Sequence, residues 1–199
     1  QDKISNLVMD MLSFSKEREP EMVLADIQAV IADVVELMQS RAADAGVTLD
    51  WVPDPHLPTL TFDPVAMHRA ILNVVTNAVD ACEQVDQGRV TIWTQLSADD
   101  HRLRIFVEDN GAGITPEDLA KIFSVFESRK GSRGTGLGLP VSQKIMHEHE
   151  GDIAVESTPA QGSRFCLYMP AVVAGTADPA PASDEARTTS VPDPPPPPQ

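Results

Sequence analysis

The chain has 199 residues, 42% of them apolar, enough for one domain of ordinary size with appendages. Against 15 Lys and Arg stand 30 Asp and Glu, and the resulting charge of −15 repels phosphate backbones and disfavours a nucleic-acid partner. No apolar run approaches the roughly 20 residues that span a bilayer, no signal peptide is visible, and Cys82 and Cys166 lie far apart without metal-ligand spacing.

The chain starts at Gln1, inside a helical pattern, and so reads as a piece of a longer protein from a reducing, cytoplasmic compartment. Residues 1–16 place Ile4, Leu7, Met11 and Phe14 at alternating three and four spacings, one apolar seam suited to packing on partner helices or on the chain's own domain. Glu19-Pro20 ends that pattern, because the residue before proline disfavours helical geometry. A helix is predicted over residues 25–45, stopped by Gly46, then strands over 47–52 and 59–62 with a Pro-rich turn between them. Asp63-Pro64 is a cap followed by an N1 proline and opens a helix to about Gln84.

Residues 89–96 and 103–108 read as a strand pair, and a short helix is predicted near 117–123 within a glycine-punctuated stretch. A helix over 139–150 and two strands over 153–157 and 164–168 complete the ordered part. After Pro170 an Ala/Pro/Ser/Thr/Asp tail ends in a proline run and is too polar to bury a core. Strands arriving in pairs between helices predict a two-layer α/β (α+β) sandwich, with helices on one face of a mixed sheet.

Four segments carry candidate chemistry. On the mostly apolar helix of residues 68–80, Asn73, Asn77 and Asp80 form one polar stripe extended by Arg69. Such a stripe either caps and contacts neighbouring backbone or supplies oxygen ligands to Mg²⁺. At a strand end, Asp109-x-Gly111-x-Gly113 is either an ordinary Asp-Asn-Gly turn or a carboxylate presented where backbone approaches closely. Gly134-Thr135-Gly136-Leu137-Gly138-Leu139 precedes a helix, so free amides and the helix dipole can receive an anion. It matches neither the Rossmann nor the Walker spacing. Upstream, Arg129, Lys130 and Arg133 gather cations that are either a solvated loop or charge for a polyphosphate. Gly162-Ser163-Arg-Phe165 opens the last strand and by itself says only turn.

In this order, the segments resemble the nucleotide-binding boxes of the Bergerat-fold ATPase superfamily of gyrase, MutL-type repair proteins, a heat-shock chaperone and histidine kinases. The likeness is greatest to sensor histidine kinases: Ile122-Phe-Ser-Val-Phe126 is similar to their phenylalanine box, and residues 141–145 to the helix after their second glycine box. Residues 7–20 resemble the end of their second dimerisation helix. The resemblance implies a mixed sheet of about five strands under about three helices. It divides the chain into a dimerisation-helix remnant (1–18), a catalytic ATP-binding domain (19–170) and a Pro/Ala-rich tail (171–199).

It also implies ATP and Mg²⁺ as cofactors, a second protomer through the dimerisation helices, a response-regulator receiver domain as partner, and no nucleic-acid or membrane contact by this fragment. By the family pattern Asn77 ligates Mg²⁺, Asn73 supports the metal, and Asp109 accepts from the adenine amine. Gly111, Gly113, Ile114 and Phe123 close on the base, and Ser163 reaches it through water. Gly134, Thr135, Gly136, Leu137, Gly138 and Leu139 shape the phosphate loop, Asp80 lies in the site, and Lys130 and Arg133 reach the phosphates from the lid. The hydrolysing members carry a glutamate where Asn73 stands, and an amide cannot serve as that base, so phosphoryl transfer rather than fast hydrolysis is implied. The departures are a missing acceptor histidine, a short lid, and Glu150 where glycine is common. The chain's five histidines are His56, His68, His101, His147 and His149; His149-Glu150 ends a helix and reads as structural. A serine kinase of the anti-sigma type, or a nucleotide-binding regulatory module, remains the competing reading.

Overall fold

The computed structural model describes residues 19–124 and 136–173. The helix and dimerisation remnant expected before residue 19 lie outside these residues, as do Phe126, Lys130, Arg133, Gly134, Thr135 and the tail from residue 174.

The order is β1 (Val23–Ala25), α1 (Ile27–Asp44), β2 (Thr48–Val52), β3 (Leu60–Phe62), α2 (Pro64–Cys82), β4 (Arg89–Leu96), β5 (Arg102–Asp109), α3 (Pro116–Leu119), α4 (Gly138–Glu148), β6 (Asp152–Thr158) and β7 (Gly162–Pro170). A five-stranded sheet runs β2-β4-β5-β7-β6, with β2 parallel to β4 and the other pairs antiparallel; β1 and β3 form a separate two-stranded sheet. The mixed sheet agrees with the sequence expectation. The strand β1 was not expected: three exposed or half-buried residues carry no alternation, and their partner lies beyond α1 and β2.

Each described helix but one starts on a side-chain cap. Asp26 accepts from Gln28 N, Asp63 from the amides of Val65 and Ala66, and Thr115 from Asp118 N, which satisfies donors that the first turn leaves open. The last helix, α4, starts at Leu137 with no side-chain cap.

The core lies between the helices and one face of the sheet. Along β5, Leu103, Ile105, Val107 and Asp109 face the helices and the intervening residues face away, because side chains alternate across a strand. Helix α2 is central and buries Met67, Ala70, Ile71, Val74, Val75, Ala78, Val79 and Cys82. Full burial of a side chain such as Ile71 stabilises by about 1.5–3 kcal/mol. On the outer face, Trp93 stacks on Phe106 with centroids 4.9 Å apart, and Cys166 packs beside them. Both cysteines are free and buried. No described helix is long and apolar enough to cross a membrane.

The end of α4 is held by His149. Its Nε2 accepts from Asp63 N at 3.0 Å, so the ring proton lies on Nδ1, which donates to Ile145 O at 2.7 Å. Asp63 also accepts from Glu21 N at 2.9 Å, so one buried pair ties the chain's entry, the start of α2 and the end of α4. His149 is thus structural, as its position at a helix end suggested. The next residue, Glu150, has φ of 57°, while a Cβ on Gly151 would lie 1.9 Å from Tyr168 O. Glu150→Gly is therefore expected to stabilise the fold by roughly 0.5–1 kcal/mol, since relief of left-handed strain exceeds the added unfolded-state entropy. A urea midpoint unchanged or lowered would refute this.

Candidate functional site

Three segments converge beside α2. The first is the polar stripe itself. Asn73, half-buried, donates from Nδ2 to Gly138 O (3.1 Å) and Ser142 Oγ (3.3 Å), and Ser142 Oγ donates to Ala70 O (3.2 Å) or Gly138 O (3.0 Å). Asn73 therefore staples α2 to the first turn of α4, and its carbonyl oxygen is the part left for a ligand. One turn on, Asn77 is half-buried on the same face. Asp80 follows, and its Oδ1 meets Arg41 Nη2 of α1 at 2.6 Å.

The second segment is the loop after β5. Asp109 is 4% exposed, and its Oδ1 accepts from Gly111 N at 2.9 Å. Burial pushes its carboxyl up to about 6, the Glu108 charge adds to this, and the amides of Gly111 and Ser163 oppose it. Among the described residues Asp109 has no ion pair. A buried carboxylate facing only amide donors is suited to a polar ligand group. The backbone presses close here: a Cβ on Gly111 would meet Ala81 O at 2.6 Å, and Gly113, at φ of 65°, would meet Thr158 O at 2.1 Å. Ala112 N donates to Ala81 O (3.1 Å), and Ala160 N to Ala112 O (2.8 Å), which stitches this loop to α2 and to the β6–β7 turn.

The third segment is the start of α4. Gly136 has φ of 66°, Leu137 is buried, and Gly138 begins the helix. An uncapped first turn beside the Asn73–Asn77 face leaves helix amides and dipole available to an anion. Leu139, Ile114, Ile122 and Phe123 are half-buried against the core. Ser163 is 6% exposed; its Oγ is 3.0 Å from Ser157 Oγ, which also accepts from Ile114 N at 2.8 Å.

The structure thus bonds Asn73 to Gly138 at the start of α4 with Asn77 one turn on, packs the Gly111–Ala112 loop against Ala81 of α2 and Gly113 against Thr158, sets Ser163 opposite Asp109, and attaches Asp80 to α1. His68 lines a groove with Val30, Asp33, Pro64 and Val65, on the α1 side of α2 rather than with the Asn73 stripe.

Sequence reading passed over three supports. Asn110 Oδ1 accepts from Arg89 N at 2.7 Å and its Nδ2 donates to Gln87 O at 3.1 Å, so it braces the Asp109 loop against the α2–β4 connection. Ser142 is fully buried under Asn73, and Ser157 holds Ile114. The i,i+4 spacing of Gly138 and Ser142 was the only local signal; the other two contacts are long-range.

Residues 62–173 match the family model described as histidine kinase-, DNA gyrase B- and HSP90-like ATPase. The signal transduction histidine-protein kinase AtoS of Escherichia coli is 34% identical over 169 residues, covering 85% of this chain and 27% of the relative. The sensor histidine kinase ZraS of Klebsiella oxytoca is 32% identical over 85% of this chain and 36% of its own length. The chain therefore spans about a quarter to a third of these relatives. Among solved structures, full-length ShkA in complex with AMPPNP superposes with a TM-score of 0.77 at 30% identity, over 88% of this chain and 37% of that one. The nucleotide-free catalytic domain of histidine kinase ThkA gives a TM-score of 0.66 at 26% identity, over 77% of this chain and 99% of that one.

Proposed function

The chain belongs to the histidine kinase-, DNA gyrase B- and HSP90-like ATPases, and on that premise we propose that it is the ATP-binding catalytic domain of a two-component sensor histidine kinase. It transfers the γ-phosphoryl of ATP to a histidine on a dimerisation helix, for relay to a response-regulator aspartate. The observation that carries the reading is Asp109: a carboxylate 4% exposed, without an ion pair among the described residues and held by backbone amides in a loop packed against α2.

Asp109 Oδ1 is committed to Gly111 N, so Oδ2 receives the exocyclic amine of adenine, and a guanine carbonyl in its place meets like charge. Gly111 and Gly113 let the backbone close on the base where any Cβ would collide, and Ser163 and Ile114 complete that wall. The phosphates lie along α2 toward the first turn of α4, and the family pattern assigns Lys130, Arg133, Gly134 and Thr135, outside the described residues, to phosphate contacts. The amide oxygens of Asn77 and Asn73 suit a hard cation that takes most of its ligands from phosphates and water. Mg²⁺ bound there would neutralise phosphate charge and orient the γ-phosphoryl; the protein's part is positioning. Asn73 has no basic atom to activate water, which favours transfer over hydrolysis.

The same reading assigns residues 1–18 to the second dimerisation helix, 19–170 to the catalytic domain and 171–199 to a tail. A homodimer, a response regulator and a cytoplasmic location belong to the parent protein.

The test is calorimetric titration with ATP, with and without Mg²⁺, followed by γ-labelled ATP and a separately purified dimerisation hairpin carrying the acceptor histidine. Micromolar, Mg²⁺-dependent binding and label on that histidine are expected, with Asn77→Ala abolishing the label. Folded protein that binds no ATP would overturn the kinase reading. Binding without label would leave a nucleotide-binding regulatory module.

A further inference from the structure

Ser142 is a fully buried polar residue of α4, set against α2 where an apolar side chain would pack without desolvating a hydroxyl. Its Oγ lies 3.3 Å from Asn73 Nδ2, 3.2 Å from Ala70 O and 3.0 Å from Gly138 O. A hydroxyl has one proton to give and lone pairs to receive with. The proton goes to one of the two carbonyls, and a lone pair receives Asn73. The other Nδ2 proton goes to Gly138 O at 3.1 Å, an atom that can only accept, so the amide cannot turn over. Both Nδ2 protons are thereby engaged at the start of α4, and Oδ1 carries no hydrogen bond among the described residues. The backbone of α4 also runs close beside this amide: a Cβ on Gly138 would stand 3.6 Å from Asn73 Cγ.

We propose that Ser142 is a positioning residue for Mg²⁺, a role that rests on the ATP and Mg²⁺ reading above. By accepting the second Nδ2 proton it fixes the plane of the Asn73 amide and keeps Oδ1 toward the metal or a metal-bound water. One bond to Gly138 O leaves that plane free to swing about the bond, whereas two bonds hold it. Partners that orient a metal-binding group in this way are worth about 10- to 100-fold in metal affinity. The effect is confined to the metal. Ser142 meets α2 at Ala70, whereas the Asp109 loop rests on Ala81, about three helical turns further along. A serine that served packing alone would weaken the binding of every ligand alike, or of none.

The experiment is calorimetry with ATP in excess Mg²⁺, with ATP in EDTA and with adenosine. The proteins are the wild type, Ser142→Ala, Ser142→Cys, Asn73→Ala and Asn73→Ala/Ser142→Ala. In Ser142→Ala, affinity for ATP with Mg²⁺ should fall about tenfold, while metal-free ATP and adenosine change by less than about twofold. Ser142→Cys fills the space with a weak acceptor and should lose affinity in the same sense, which supplies the comparison if the alanine variant does not fold. Because Ser142 acts through Asn73, the double variant should bind ATP with Mg²⁺ within about twofold of Asn73→Ala. Unchanged affinity for ATP with Mg²⁺, equal losses for all three ligands, or a further tenfold loss on the Asn73→Ala background would each overturn the assignment. A wild type whose ATP affinity ignores Mg²⁺ also overturns it and leaves ATP binding standing. One that binds neither ATP nor adenosine removes the ATP-binding reading itself.

Discussion

Asp109→Asn is expected to abolish measurable ATP binding while making the folded chain more stable at neutral pH. Both effects come from the same buried charge. The Asp109 carboxylate accepts from Gly111 N through Oδ1 and is also met by the Ser163 amide, and on the proposed reading a remaining lone pair of Oδ2 takes the adenine amine. Asparagine keeps Oδ1 and presents an NH₂ where Oδ2 stood, so donor faces donor across the adenine amine. Loss of a charge-assisted bond and creation of an unsatisfied donor together predict at least about a hundredfold weaker binding.

The stability gain follows from the proton. Burial moves the carboxyl from an ordinary 3.8 up to about 6, so between those values the folded chain holds a proton that the unfolded chain has released. The stability contributed by the neutral form is complete below 3.8 and is lost as pH rises through about 6. Above that, the buried carboxylate costs up to about 3 kcal/mol, which asparagine removes. Thermal melts should place Asp109→Asn above the wild type at pH 7 and level with it near pH 3.5. ATP affinity of the wild type should weaken as pH falls through about 6. A variant that melts lower at pH 7, or still binds ATP, would show that Asp109 is a structural carboxylate.

Gly162→Ala should be strongly damaging, because clash and backbone strain coincide there. Gly162 has φ of 102°, and a Cβ there would lie 1.9 Å from Asp109 O and 2.9 Å from Asn110 Cα. The obstacle is backbone on both sides, at the junction of β5 and β7 where Asp109 pairs with Ser163. Neither strand can move without displacing the carboxylate. Left-handed strain and the overlap together should cost about 3 kcal/mol or more. Gly46 is the control: its φ is 69°, but a Cβ would meet nothing within 4 Å, so Gly46→Ala should cost only about 1 kcal/mol. Urea unfolding of the two variants compares clash plus strain with strain alone. If Gly162→Ala costs no more than Gly46→Ala, the junction is softer than its geometry says. Where Gly162→Ala remains folded in the cold, its ATP affinity should be lost with the position of Asp109.

Much of this was legible in local pattern. Asp63-Pro64 announced α2, and in the structure Asp63 caps the amides of Val65 and Ala66. The alternation of residues 103–108 announced β5, and the spacing of Asn73, Asn77 and Asp80 announced one face of a helix. The outlying strand β1 was not legible, because three residues without alternation form a strand only when β3 is beside them. Nor was the parallel pairing of β2 with β4, since register between residues 41 positions apart, such as Thr48 and Arg89, leaves no local mark. Asn110 read as an ordinary turn residue, and only the approach of Gln87 and Arg89 makes it a brace.

By itself the sequence determined which segments are helix or strand, which faces are apolar, and which residue types can meet a nucleotide, because periodicity and turn chemistry act over a few residues. Tertiary structure alone decided that Asp109 is buried enough to be pushed up to about 6, that Asn73 staples α2 to α4, that His149 holds Asp63, and that Asp80 pairs with Arg41. Each of those depends on groups brought together from 39 to 86 positions apart or on how much water is excluded. Desolvation and long-range pairing exist only once the chain has closed on itself.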